Sequence, residues 1–173
     1  MATDENSTVL EPDYPLGVPF KPVFDIWLEK RGEKWAPPLS QFRLEDLPLP
    51  ILPWSVLVDV GIGERAFSYR FWGSERCTLI GLELTGKTLA DIPDPVMREG
   101  NFAEYNAIRC LKLPMLCKTP VRTATGHSAE FESMRLPISN DGENVTQIFS
   151  ALNYMELGHK HYDVLGTAKG NWL

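Results

Sequence analysis

The chain has no excess of positive charge, no long apolar run and few cysteines or histidines, and each shortage removes a class of function. Its 17 lysines and arginines face 23 aspartates and glutamates, a net charge of −6. No basic stripe is therefore available to neutralise nucleic-acid phosphates. No apolar run approaches the roughly 20 residues that cross a bilayer. The opening MATDENSTVLEPDYP is polar and acidic, unlike an export signal. We expect no nucleic-acid partner, no membrane and a cytoplasmic location. Cys77, Cys110 and Cys117 form no Cys-x-x-Cys pair, which fits a reducing compartment better than a disulfide framework or a zinc site. His127 falls in a predicted turn. His159 and His161, with Asp163, sit on a C-terminal tail that lacks the rigid scaffold a metal site needs. No metal site is expected.

What is present suits one domain. The length is 173 residues, with 43% hydrophobic and 23% charged side chains, enough for one core with flanking segments. Nine of the 14 prolines precede Trp54. Residues 1–20 read as an extended, poorly ordered arm. Residues 21–53 read as a helical cap. In it Pro22 opens a helix, Val23, Phe24, Trp27 and Leu28 share one face, and Gly32 stops it. Ser40 is expected to cap a short turn over QFRLEDL, ended by Pro48, Pro50 and Pro53.

From Trp54 the period changes. WSVLVDV is apolar on both parities, as in a strand inside a sheet. Gly61-Ile62-Gly63 turns it into RAFSYRFW, where Phe67, Tyr69 and Phe71 alternate with smaller or polar residues. Ser74 is expected to cap a short helix closed by Gly81, and Lys87 to Ile92 to form another. Asp94-Pro95 opens a long helix carrying Met97, Phe102, Tyr105, Ile108 and Leu111, weakened by Gly100. Three strand-like runs follow, separated by turns at 125–127 and 140–142. Residues 54–155 thus form a domain ordered β-β-α-α-α-β-β-β, and 156–173 a surface tail. Strands flanking a helical block predict an α+β domain with an antiparallel sheet covered on one face. Phe67, Tyr69, Phe71, Phe102, Tyr105 and Ile108 would face each other across the sheet–helix interior, with Arg109 or Arg70 as anchors for an anionic group.

Specific residues sharpen this reading. Tyr69-Arg70-Phe71 leads into Gly73-Ser74, then a helix centred on Cys77, Gly81 and Leu84-Thr85-Gly86-Lys87. Later come Arg135-Leu136-Pro137-Ile138, an Asp-Gly turn and an Ile-Phe-x-Ala-Leu strand. Over about residues 40–155 this succession resembles the stand-alone, single-domain PAS proteins common in alphaproteobacteria. The resemblance implies a PAS-like five-stranded antiparallel sheet, with helices on one face closing a cavity, here preceded by the N-terminal helical cap. It further implies a sensory or signal-relay role through protein–protein contacts, open to gating by a small ligand, and supplies no catalytic residues to carry over. The pocket lining would be Phe67, Tyr69, Phe71, Cys77, Phe102, Tyr105, Ile108 and Arg109. The expected partners are a second copy, meeting through the cap helix and the outer sheet face, and a separate signalling protein.

Three sharper chemistries compete. Gly81 to Thr88, GLELTGKT, satisfies G-x-x-x-x-G-K-[ST], so a nucleotide-dependent transferase using Lys87 and Thr88 is one alternative. The segment nevertheless lacks a preceding buried parallel strand, and Pro93 breaks the helix that should follow. Cys77 invites a flavin photoadduct, but Arg76-Cys77-Thr78-Leu79-Ile80 shares only the cysteine with the Asn-Cys-Arg-Phe-Leu-Gln run of flavin-binding relatives. Haem needs an axial ligand, and the long helix holds no histidine. Neither flavin nor haem is expected. Besides the transferase, a ligand-free interaction scaffold with a fully packed core is the other alternative.

Overall fold

Backbone alternation and turn chemistry build one antiparallel sheet. The computed structural model describes residues 6–63 and 66–156. Among these lie the strands β1 (Ser7–Val9), β2 (Ser55–Val60), β3 (Phe67–Trp72), β4 (Met115–Arg122), β5 (Ser128–Ile138) and β6 (Gln147–Leu152). Their spatial order is β1-β4-β5-β6-β2-β3, with every neighbouring pair antiparallel. The helices are α1 (Phe20–Arg31), α2 (Ser74–Ile80) and α3 (Pro95–Leu111). Two strands before α2 and α3 share a sheet with three after them, which is the PAS-like arrangement the sequence predicts.

The sheet has six strands rather than five. The segment expected to be a loose arm supplies the extra one. Ser7–Val9 pairs with Met115–Cys117, and the Leu10 N–H donates to the Pro114 carbonyl at 2.9 Å. Leu10 itself is buried. The pairing occupies backbone groups that β4 would otherwise present as an open edge.

Both faces of the sheet are covered, not one. On the first lie α2 and α3, packed over Val56, Val58, Phe67, Tyr69, Ile148 and Leu152. On the second lies α1, whose Phe20, Val23, Phe24 and Trp27 pack over Leu57, Met134, Leu136, Ile138 and Phe149. Burying such side chains stabilises by roughly 1.5–3 kcal/mol each. The Trp27 indole N–H also donates to the Pro137 carbonyl at 2.8 Å. That pins the cap to β5. The helix begins at Phe20, two residues before Pro22, and Gly32 ends it as expected.

The link from cap to sheet departs from expectation. No Ser40-capped turn forms; instead Leu44–Asp46 makes a single 3-10 turn, with Arg43 paired to Asp46. Pro48, Pro50 and Pro53 do not end the structure, because Leu49–Trp54 winds as a second 3-10 turn. Proline's fixed φ suits that geometry, and few N–H donors are needed over so short a run.

Two close approaches explain glycines. Gly73, between β3 and α2, lies so near the Pro53 carbonyl that a β-carbon would sit 2.2 Å from its oxygen. Ser74 is therefore the first residue of α2, not its cap. Gly100, within α3, faces Pro120 of β4, where a β-carbon would come within 2.5 Å of the ring. The glycine that weakens α3 locally lets it lie close on the sheet. Asp94 caps α3 as predicted, accepting from the Met97 N–H at 2.8 Å.

Candidate functional site

Helix α3 turns Met97, Asn101, Glu104, Tyr105 and Ile108 toward the sheet. The spacing of three to four residues puts a carboxylate and an amide on the apolar face. Opposite stands Arg135 of β5, fully buried. Its Nε donates to Glu104 Oε2 at 2.5 Å, and one terminal nitrogen donates to Ser150 Oγ at 3.0 Å. The other terminal nitrogen reaches Asn101 Oδ1 at 2.9 Å and Thr119 Oγ1 at 3.2 Å, and is ion-paired with Glu104. The Thr119 hydroxyl donates to Glu104 at 2.8 Å. The Arg135 guanidinium lies 4.3 Å over the Tyr105 ring. Burial alone would lower its pKa. The Glu104 carboxylate, together with smaller contributions from Tyr105 and Cys117, outweighs that, and the group is held above the ordinary arginine value.

Beside this satisfied cluster stands an unsatisfied one. Arg76 projects from α2 and is 2% exposed. Its guanidinium lies 5.3 Å from the Trp72 ring centre, and no carboxylate pairs with it among the described residues. Burial pushes its pKa down to about 10, so the group remains charged at neutral pH. The Tyr69 and Trp72 rings meet edge-on at 4.8 Å. The Arg76 Nε, the Trp72 indole nitrogen and the hydroxyls of Tyr69 and Tyr105 are all buried without a hydrogen-bond partner. Burial, with Tyr105 nearby, raises the Tyr69 pKa well above the usual phenol value.

The predicted lining divides. Phe67, Tyr69, Tyr105 and Ile108 come together, with Cys77 half-buried at the margin of the same core. Phe102 is 49% exposed and covers only the outer side of Phe67, edge-on at 5.8 Å. Phe71 faces the cap. The register of β2 and β3 shifts between Leu57 and Val58, so Leu57 pairs with Phe71 and Val58 with Tyr69. That bulge leaves Arg70 extra and reverses the alternation, sending Trp72 inward in place of Phe71. Neither expected anchor reaches the interior. Arg70 pairs with Asp59 on the surface, and Arg109 lies over Phe67 while donating to Asn106 at 2.6 Å. Arg135 and Arg76 stand inside instead. Asn101, Glu104, Thr119 and Ser150 were also missed, although one charge in the apolar run SMRLPI was a visible signal.

The Gly81–Thr88 segment runs alongside β3, not at the end of a parallel strand. Ser68 bridges Thr88, the Gly86 N–H donates to the Tyr69 carbonyl at 2.7 Å, and the Tyr69 N–H donates to Lys87 at 2.8 Å. Gly81 closes α2 in a left-handed conformation. The Thr85 N–H donates to Glu83, and the Thr88 N–H and hydroxyl both donate to Asp91 in a capping box. Backbone donors that a phosphate would need are thus already engaged, and Leu84 is buried in the core. His159, His161 and Asp163 lie outside the described residues. Among those described, no group of His, Cys, Asp and Glu could hold a metal, and no helix is long and apolar enough to cross a membrane.

No family model matches the chain, and no curated protein matches it. Solved structures do. One is an RNA-binding light-oxygen-voltage receptor, at 16% identity and a TM-score of 0.44, covering 66% of this chain and 33% of that one. Another is the light-oxygen-voltage protein RsLOV, at 12% identity and a TM-score of 0.45, covering 64% of this chain and 69% of that one. The chain spans about a third of the length of the first.

Proposed function

We propose that this protein is a PAS-type sensory or relay module, gated by a small ligand in the interior between α2, α3 and the sheet and acting through protein–protein contacts. One observation supports the reading above the others: Arg76, Trp72, Tyr69 and Tyr105 bring four buried polar groups without partners to the place where the PAS resemblance implies a cavity. Buried groups of this kind are normally satisfied, and each one left bare is destabilising by about 1–3 kcal/mol. An occupant that accepts hydrogen bonds would remove that cost in one of two conformations and so shift the population.

The output surface is the cap side. β5 and β6 carry interior residues on one face and cap contacts on the other, so a change around Arg135 and Ser150 alters the seat of α1. Pairing of two copies through the cap and the outer sheet face would require α1 to lift, since Phe24 and Trp27 already pack on that face. A separate signalling protein would read the same displacement.

Native mass spectrometry of freshly purified full-length protein tests the gate. We expect a fraction of molecules heavier than the chain by one small compound, lost under denaturing conditions. A single species at the bare chain mass would favour the ligand-free scaffold.

A further inference from the structure

We propose that the occupant is a small, singly charged carboxylate held on the Arg76 guanidinium; this rests on the ligand-gated reading above. Two arginines and one glutamate face this interior: Arg135 from β5, Arg76 from α2 and Glu104 from α3. Tyr69 from β3, whose phenol burial keeps protonated, and Tyr105 from α3 bring hydroxyl groups rather than charge. Arg135 is cancelled by Glu104, to which it is bonded directly. Arg76 is left as one buried positive charge. Its contact with Trp72 returns only a fraction of what removal of a guanidinium from water takes away.

Hydrogen bonding points the same way. Each of the four unpartnered groups can donate: the Arg76 Nε–H, the Trp72 indole N–H and the two phenol O–H groups. Two nitrogens on one side of a guanidinium match the two oxygens of a carboxylate, and the remaining lone pairs can take the tyrosine and indole donors. A dianion would replace the spare positive charge by a negative one. A single carboxylate closes the balance.

The site favours a short acid. The Tyr69 and Trp72 rings touch edge-on at 4.8 Å and the Arg76 guanidinium lies 5.3 Å from the Trp72 ring centre, so an occupant must part groups already in contact, and a short acid asks least of them. Phe67 packs against Tyr105 at 5.4 Å and also lines an open groove of about 320 Å³ with Ala66, Leu89, Arg98 and Phe102. One aromatic ring therefore adjoins both the buried donors and a groove open at the surface.

The test is thermal unfolding of the full chain at fixed ionic strength, with sodium formate, acetate and propionate. Each is compared with its neutral amide and with sodium sulfate. We expect a saturable rise in Tm with at least one carboxylate, as mass action requires of a ligand that binds the folded state. Amides and sulfate should give no saturable rise, and Arg76→Met should abolish the effect. Should that variant fail to fold, Tyr69→Phe takes its place, with an expected weakening of the carboxylate midpoint by about tenfold, as for one lost hydrogen bond to a charged group. No saturable rise with any carboxylate overturns the proposal, as does an equal rise with amide or sulfate, or an unchanged response in the folded variant. Retention of a neutral compound in native mass spectra without a carboxylate response defeats the anion assignment and leaves the gated reading standing. A bare chain with no response defeats both.

Discussion

Arg135 is bound on every side: Glu104 and Asn101 from α3, Thr119 from β4 and Ser150 from β6. A buried pair of this kind is stabilising chiefly in the sense that neither member tolerates loss of the other. We predict that Arg135→Met lowers stability by about 3–5 kcal/mol in urea unfolding, because Glu104 is left as a buried unpaired carboxylate. Replacing both, Arg135→Met with Glu104→Leu, should recover most of that loss. A double variant no better than the single one would show that the network, not the pair, is what matters. Phe67, Tyr69, Tyr105 and Ile108 were legible in the sequence, since period and bulk suffice to place them. Arg76, Arg135 and Glu104 were not. Charged residues are expected outside by default, and only the pairing of α3 with β5 across 31 positions shows why these lie within.

Among elements, the hairpin between β5 and β6 was the most readable, and its turn carries its own pH dependence. The Asp141 carboxylate accepts from the Asn144 and Glu143 N–H groups at 2.7 and 2.8 Å, and from the Asn144 amide at 3.0 Å. The Asn144 backbone leads in holding its pKa well below the usual carboxylate range. In the unfolded chain Asp141 takes up a proton near pH 3.9, whereas the folded chain resists until lower pH. The stabilisation is therefore complete above about pH 4 and is lost as pH falls below it. Asp141→Ala should lower Tm at neutral pH and flatten its decline between about pH 4 and pH 2. Parallel Tm curves for the two proteins would contradict this. Other elements misled because the information was not local. The bulge at Arg70 undoes a correct alternation, and β1 exists only because β4 offers it an edge.

At the scale of the whole molecule, one sheet separates two interiors of different character. The helix side holds a polar cluster with spare donors, while the cap side is apolar and closed by α1. β5 and β6 are buried along their shared length and belong to both, with Arg135 and Ser150 on one face and Met134, Leu136 and Phe149 on the other. The sequence made the order of strands and the existence of the cap legible, and with them the α+β class. It left open which face the cap would cover, because Phe24 and Trp27 could as well have met a second chain.

The account's central claim is that occupancy of the helix-side interior is felt at the cap. Hydrogen exchange followed by mass spectrometry tests this most directly, comparing protein as purified with protein unfolded, dialysed and refolded to strip any occupant. The account predicts faster exchange in α2 and in α1 of the stripped protein, with the outer hairpin turn at 140–144 unchanged. Identical exchange in α1 before and after stripping would contradict it.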